Sequence, residues 1–267
     1  MNTFEQVRSL AEALSLPAAH LECADRERFS RIGGVPLVPP AFVWPEWKNE
    51  PLSFLAQVDI ADIVSPVVPA WMPIKGQLYF FYDKEQSTWG FDPADRGSWR
   101  VIYSNEDSAN LVEAAVPSGI EQHIYNRVPV EFSEIGSRPD SQRFDFNYSD
   151  ISDEESEALD EWKSPAFGDT PYHQMFGYPI PIQGDQMELE CQLASSGVNC
   201  GTPEEYESPR AAKLSKGAKD WHLLLQLDSD DDAGMMWGDA GRLYFWIRET
   251  EARKADFTNA WMVLQCG

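Results

Sequence analysis

Hydrophobic residues recur at three-and-four spacing over residues 3–15, where Phe4, Val7, Leu10, Ala11 and Leu14 share one side of a helix. Thr3 followed by Gln6 makes a capping-box pattern, and Pro17 ends the run. The pattern then breaks. Residues 30–47 carry Gly33-Gly34-Val35-Pro36, Pro39-Pro40 and Trp44-Pro45. Proline fixes φ and keeps its predecessor extended, so this stretch is predicted to be an irregular strap. Its Phe42, Val43, Trp44 and Trp47 need apolar cover, which places the strap on the core. The paired glycines imply a tight turn or a close backbone approach.

From Leu52 to Asp59 the period changes to two. Leu52, Phe54, Ala56 and Val58 are predicted on one face, with Leu55, Gln57 and Asp59 on the other. Gly76 then opens Gln77 to Tyr82, apolar on both faces and therefore a central strand. The same text returns near the end. Leu223, Leu225 and Leu227 alternate with Leu224, Gln226 and Asp228, and Gly241 opens Arg242 to Ile247. Each half also has an upstream Gly-x-Pro (Gly34-Val35-Pro36, Gly177-Tyr178-Pro179) and a downstream strand led by tryptophan (Trp99 to Tyr103, Trp261 to Gln265). A repeat of this kind sets the expected architecture. It is an α+β fold, sheet-dominated and mostly antiparallel, with an internal duplication of two similar halves packed as one globule. Residues 1–267 form one domain: the helix at 3–15, half one at 30–103, a connecting segment at 104–170 and half two at 171–267.

The connecting segment is polar. Val128 to Phe132 is predicted to be a strand, and Ser152 with Glu155 forms a capping box for a helix through Trp162. The halves differ in length: 23 positions separate Gly34 from Gln57, and 49 separate Gly177 from Gln226. Half two therefore carries an insertion within 188–219, expected as surface loop with some helix. It is either a functional element or tolerated drift.

The charge changes the picture more than the composition does. The chain has 44 acidic and 21 basic residues, net −23. Such a field repels nucleic acid and anionic membranes and attracts cationic partners; the alternative is that it serves solubility alone. Cys23, Cys191, Cys200 and Cys266 form no C-x-x-C pair, so a reduced chain is preferred to a disulfide between Cys191 and Cys200. The first 16 residues lack a basic n-region and an apolar h-region, and no apolar run spans a bilayer. The expected location is the cytoplasm.

Candidate chemistry is sparse. Gln57 and Gln226 are equivalent amides flanked by apolar residues. Each either clamps neighbouring backbone or meets a ligand. Asp228, Asp230 and Asp232, with Asp239 eleven positions after the first, echo a calcium loop and make a calcium or magnesium site conceivable. Against this, Ala233 stands where the loop needs glycine and strands flank it, so a solvated hairpin loop is the alternative. Trp44 and Trp237 head aromatic clusters that line either a ligand pocket or the core. His20, His123, His173 and His222 form no metalloprotease motif, and no P-loop, nucleophile elbow or dinucleotide fingerprint occurs. The reading leans away from an enzyme and requires no cofactor beyond that cation.

Taken together, Ile32-Gly33-Gly34-x-Pro36, Trp44-Pro45, Leu52 to Asp59, Gly76 to Phe81, Gln183-Gly184-Asp185, Leu225 to Asp230 and Trp237 to Gly241 resemble the YwqG-like family (DUF1963) over about residues 30–265. The resemblance implies a sheet-rich α+β fold and carries over no catalytic residue, since that family has no established reaction. Relatives that occur beside bacterial polymorphic toxins imply an immunity role by association. The expected function is thus a non-catalytic protein-binding module with an acidic surface, its partner a basic protein such as a toxin. The alternative is a small-ligand or metal-binding protein, or an unfamiliar enzyme, using a cleft between the halves with Asp228, Asp230, Asp232 and Asp239 near its mouth.

Overall fold

The computed structural model describes residues 3–64, 66–145, 152–163 and 171–267. Its first element is helix α1 (Phe4–Ala13). The capping box forms: Gln6 N donates to Thr3 Oγ1 and Thr3 N to Gln6 Oε1. Phe4, Val7 and Ala11 are buried, while Leu10 and Leu14 stay exposed. The chain then enters strand β1 (Leu16–Cys23), which the periodicity does not predict. Pro17 stands second in that strand, close to its start, where proline is tolerated.

The remaining strands are β2 (Arg31–Ile32), β3 (Leu37–Val38), β4 (Glu46–Trp47), β5 (Glu50–Pro51), β6 (Ser53–Asp59), β7 (Gln77–Tyr82), β8 (Trp99–Ser104), β9 (Val112–Glu113), β10 (Val128–Ser137), β11 (His173–Met175), β12 (Trp221–Asp228), β13 (Arg242–Arg248) and β14 (Trp261–Gln265). Ten of them build one sheet in the order β14-β13-β12-β11-β1-β10-β2-β6-β7-β8, with every pairing antiparallel. Counted outward from the β1–β10 contact, one side runs β11, β12, β13, β14 and the other runs β2, β6, β7, β8.

The sheet curls into a near-barrel, because its two aromatic wings share one core. Trp99 at the start of β8 meets Trp261 at the start of β14 with centroids 4.8 Å apart, and its Nε1 donates to Ala260 O at 2.8 Å. Leu264 N donates to Trp89 O. Apolar residues of β1, β2, β6, β7, β10, β12, β13 and β14 all belong to this core.

Strict alternation fails at one point in each wing. The β6–β7 register shifts between Phe54 and Ala56, and the β12–β13 register shifts between Leu223 and Leu225. The extra residue, Leu55 or Leu224, is a bulge that turns its neighbours to opposite faces. Phe54 pairs with Phe81 and packs under the strap, whereas Ala56 pairs with Phe80 and joins the main core. The expected common face for Phe54 and Ala56, and for Leu223 and Leu225, is therefore corrected.

The strap lies where its aromatics required, but Val43, expected to need cover, is 81% exposed. Phe42 packs against Tyr79 and Phe81, and Trp44 meets Phe81 edge-on. The glycine pair has φ +63° and +74°, and a Cβ on Gly33 would stand 2.0 Å from Asn126 O.

Within the polar connection, β10 extends the predicted Val128–Phe132 strand to ten residues and sits beside β1 at the middle of the sheet. Helix α2 (Asp153–Lys163) starts at the Ser152–Glu155 capping box. The insertion is mostly helical: α3 (Met187–Ser195), α4 (Pro203–Tyr206), α5 (Pro209–Leu214) and a 3-10 turn over Ser215–Asp220. A last short helix, α6 (Glu249–Ala252), follows β13. Among the described residues no helix is long and apolar enough to cross a membrane.

Candidate functional site

Both sequence-selected amides are fully buried, 0% exposed. Gln57 Oε1 accepts from Leu37 N at 2.8 Å, and its Nε2 donates to Phe29 O at 3.4 Å. Gln226 Oε1 accepts from Ile180 N at 2.8 Å, and its Nε2 donates to Tyr172 O at 3.0 Å. Leu37 and Ile180 each lie three residues beyond the glycine of a Gly-x-Pro, and their carbonyls accept from Tyr79 and Tyr244 hydroxyls. Each glutamine thus fastens the chain around its Gly-x-Pro to its own strand. Buried amides need such partners, because an unbonded one costs a few kcal/mol, about 1–3 by mutation. Gln57 and Gln226 lie in different wings of the sheet, each bonded to the chain around its own Gly-x-Pro.

Trp44 and Trp237 are likewise apart. Trp44 covers β7 from the strap and donates Nε1 to Leu52 O at 2.8 Å. Trp237 is buried against Tyr82 and Tyr125 and donates Nε1 to Asp228 O at 3.0 Å.

The aspartate loop is tied by internal bonds. Asp228 pairs with Arg242 at 2.9 Å and accepts from Tyr172 N at 2.9 Å. Asp230 Oδ1 accepts from Asp232 N and Ala233 N, and its Oδ2 faces His173 Nε2 at 3.1 Å. Because Asp228 N donates to His173 Nδ1 at 3.1 Å, the imidazole proton sits on Nε2 and is given to Asp230. Burial pushes the Asp230 carboxyl up, but the His173 bond and two amides outweigh it and hold it below its ordinary value. Asp239 is exposed and offers its carbonyl to Gly267 N. Among the described residues no group of three or more His, Cys, Asp or Glu side chains is placed to hold a metal ion.

This loop nevertheless borders a cavity. A void of about 440 Å³ opens at the middle of the sheet, where β1, β2, β10 and β11 meet the aspartate loop. Leu21, Ile32, Val128 and Val130 give it apolar walls, and His173, Asp230 and the exposed Asp232 stand on its polar side. Asn126 seals the loop against the turn before β10, with Nδ2 donating to Asp232 O and its backbone N to Ala233 O. His20 also borders the void. Burial lowers its pKa below the ordinary histidine value despite the opposing pull of Glu22. An apolar chamber with a few convergent polar groups suits binding. Sequence reasoning missed its walls because β1 and β11 were not predicted; the alternation of Ala19, Leu21 and Cys23 was the available signal.

A second void, about 550 Å³, lies under the insertion and is bordered by Tyr178, Trp221, Trp246, Arg143, Asp185 and Lys219. Arg143 is held there by Asp185 and by Glu188 at 2.8 Å. Nearby, Glu190 Oε2 is buried without a partner; burial, then Glu188 and Asp185, push this carboxyl up to about 7. All four cysteines are free. Burial pushes the Cys191 thiol up and Cys200 up to about 12, so neither is a ready nucleophile.

No curated protein matches the chain. Residues 30–266, spanning the strap, both wings of the sheet and β10 but not β1, match the model of the family described as a domain of unknown function (DUF1963), and the protein belongs to that family.

Proposed function

We propose that this protein is a binding module for a cationic partner, and that the seam cavity receives an apolar group ending in a positive charge. One observation carries the reading: apolar walls from β1, β2 and β10 lead to the carboxylates of Asp230 and Asp232. The net charge of −23 supports it, because it draws cations toward that mouth. Asp83, Asp185, Asp228 and Asp230 are the buried acids among the described residues, which leaves the bulk of the negative charge at the surface. The partner is either a small amine or a basic protein inserting an aliphatic cationic side chain. A basic toxin held in an immunity complex belongs to the second class. The four free cysteines fit a reducing compartment, which supports a cytoplasmic setting.

Calorimetry with hexylamine, hexanol and hexanoate tests the reading. The amine is expected to bind most tightly and the carboxylate least, and Asp232→Asn removes the preference for the amine. Equal binding of all three, or none of the amine, overturns it.

The fold itself reads best as two copies of one unit. The strand order is symmetric about β1–β10, a bulge falls one residue before Ala56 and before Leu225, and the two glutamine clamps match in their two backbone bonds. On this reading the seam cavity belongs to neither copy alone, since Ile32 comes from one and His173 from the other.

A further inference from the structure

Arg31 is 2% exposed and lies on β2 between β10 and β6. Its Nη2 donates to Gln57 Oε1 at 3.1 Å, and its Nε has no partner. Of the half-buried arginines, Arg143 holds Asp185 and Glu188, Arg242 holds Asp228 at 2.9 Å and Arg248 holds Glu251 at 3.5 Å, while Arg100 donates to the Gly97 and Trp99 carbonyls. Arg31 has no such ion pair among the described residues. The charges that reach it are Arg127, Glu27, Glu113 and the Tyr79 phenol, and Glu27 is already bound to Arg127.

A buried cation without a counter-ion is strongly destabilising, so its presence calls for a reason. Backbone geometry does not supply one. Arg31 stands three residues before Gly34, and the residue three before Gly177 is the neutral Gln174. Gln174 closes the same kind of junction by donating Nε2 to Phe176 O at 2.6 Å and Tyr178 O at 2.8 Å. A neutral amide occupies that position, its own Oε1 left without a partner, so the place in the fold does not by itself require a cation. A second cation lies within reach of it: the Arg127 stem packs on Gly34 so closely that a Cβ there would lie 2.9 Å from Arg127 Cβ, and its guanidinium holds Glu27.

We propose that Arg31 anchors an oxyanion site beneath the strap, which takes a carboxylate or phosphate group with Arg127 as its second cation. The planar fork of a guanidinium presents paired N–H donors to such a group, and Nε is one donor still unused. In a chain of net charge −23 a site of this sign is not a consequence of the overall field.

Thermal unfolding of the full chain in phosphate, in acetate and in chloride of matched ionic strength tests the site, and the first two arms distinguish a phosphate from a carboxylate ligand. At roughly a hundredfold excess over Kd, the binding anion is expected to raise Tm by about 5 °C over chloride. Arg31→Gln, which copies Gln174, is expected to fold and to lose the shift. Arg127→Gln removes an exposed ion pair and is expected to weaken the anion about tenfold by calorimetry, a loss of one charge-assisted contact. A wild-type chain that responds to neither anion, an Arg31→Gln variant that keeps the shift, or an Arg127→Gln variant of unchanged affinity overturns the proposal. If Arg31→Gln fails to fold, the wild-type and Arg127→Gln titrations still decide it.

Discussion

Phe80 of β7 and Phe245 of β13 meet edge to face, with centroids 5.2 Å apart and planes at 67°. Each stands four residues beyond the glycine that opens its strand, so equivalent positions of the two wings touch across the core. Both are fully buried. Phe80→Ala and Phe245→Ala are each expected to lower stability by about 3–5 kcal/mol in urea unfolding. The double mutant should fall short of the summed losses by about 0.5–1.5 kcal/mol, the worth of an aromatic pair. Strict additivity would mean that the wings do not support each other there.

The glutamine clamps set a second expectation. Gln226→Leu keeps the volume but leaves the Ile180 N–H and the Tyr172 carbonyl without their bonds. Two stranded buried groups cost about 2–5 kcal/mol. Gln57→Leu strands the Leu37 N–H, the Phe29 carbonyl and the Arg31 Nη2 donor, and is expected to cost at least as much. The check is the denaturation midpoint at unchanged m. A loss under about 0.5 kcal/mol in either variant would show that water replaces the clamp.

Much of this was legible because the residues act locally. Gly33-Gly34 announced a close approach, the two glutamines announced buried partners, and the aromatic runs announced strands paired on both sides, although β7 and β13 stand next to the ends of the sheet and not at its middle; each signal depends on neighbours within a few positions. The bulges at Leu55 and Leu224 were not legible, since an apolar run gives no sign of which leucine is extra. Strands β1 and β11 escaped for another reason. β11 spans only His173–Met175, and β1 opens with Leu-Pro-Ala-Ala, so both are strands chiefly because long partners lie beside them. The seam cavity needs both strands and was hidden with them; of the four aspartates expected at a cleft mouth, Asp230 and Asp232 border it and Asp228 and Asp239 do not. Arg31 reads in sequence as an ordinary charged residue before an isoleucine. Its significance comes from the ion pair it lacks among the described residues, which is a property of three-dimensional surroundings.

Gly33 offers a direct check on the strap. With φ +63° and Asn126 O at 2.0 Å from the Cβ position, Gly33→Ala must both strain the backbone and displace the turn before β10. The expected loss is about 1–3 kcal/mol from the left-handed conformation, with the steric clash added. Gly184 is the control, because nothing lies within 4 Å of its Cβ position and its φ is ordinary. Gly184→Ala should leave Tm unchanged within about 1 °C, the small effect of an open surface substitution. Equal behaviour of the two variants would deny the close approach.

Glu190 makes stability depend on pH in a direction opposite to that of a paired carboxylate. Its ordinary value is 4.5, and burial followed by repulsion from Glu188 and Asp185 raises it to about 7 in the folded chain. Between these values the folded state keeps a proton that the unfolded state has released. The folded state therefore binds more protons, and stability falls as pH rises through the window. The contribution is fully present below about 4.5 and lost above about 7. Glu190→Gln holds the side chain neutral at every pH and removes this loss. The variant is expected to match the wild type near pH 4.5 and to exceed it at pH 8 by on the order of 2–3 kcal/mol. The large negative charge of the chain also weakens it as pH rises, but both proteins share that slope, so their difference isolates one carboxyl. A difference that stays flat across the window would place the Glu190 carboxylate in water and not in the enclosed space near Glu188 and Asp185.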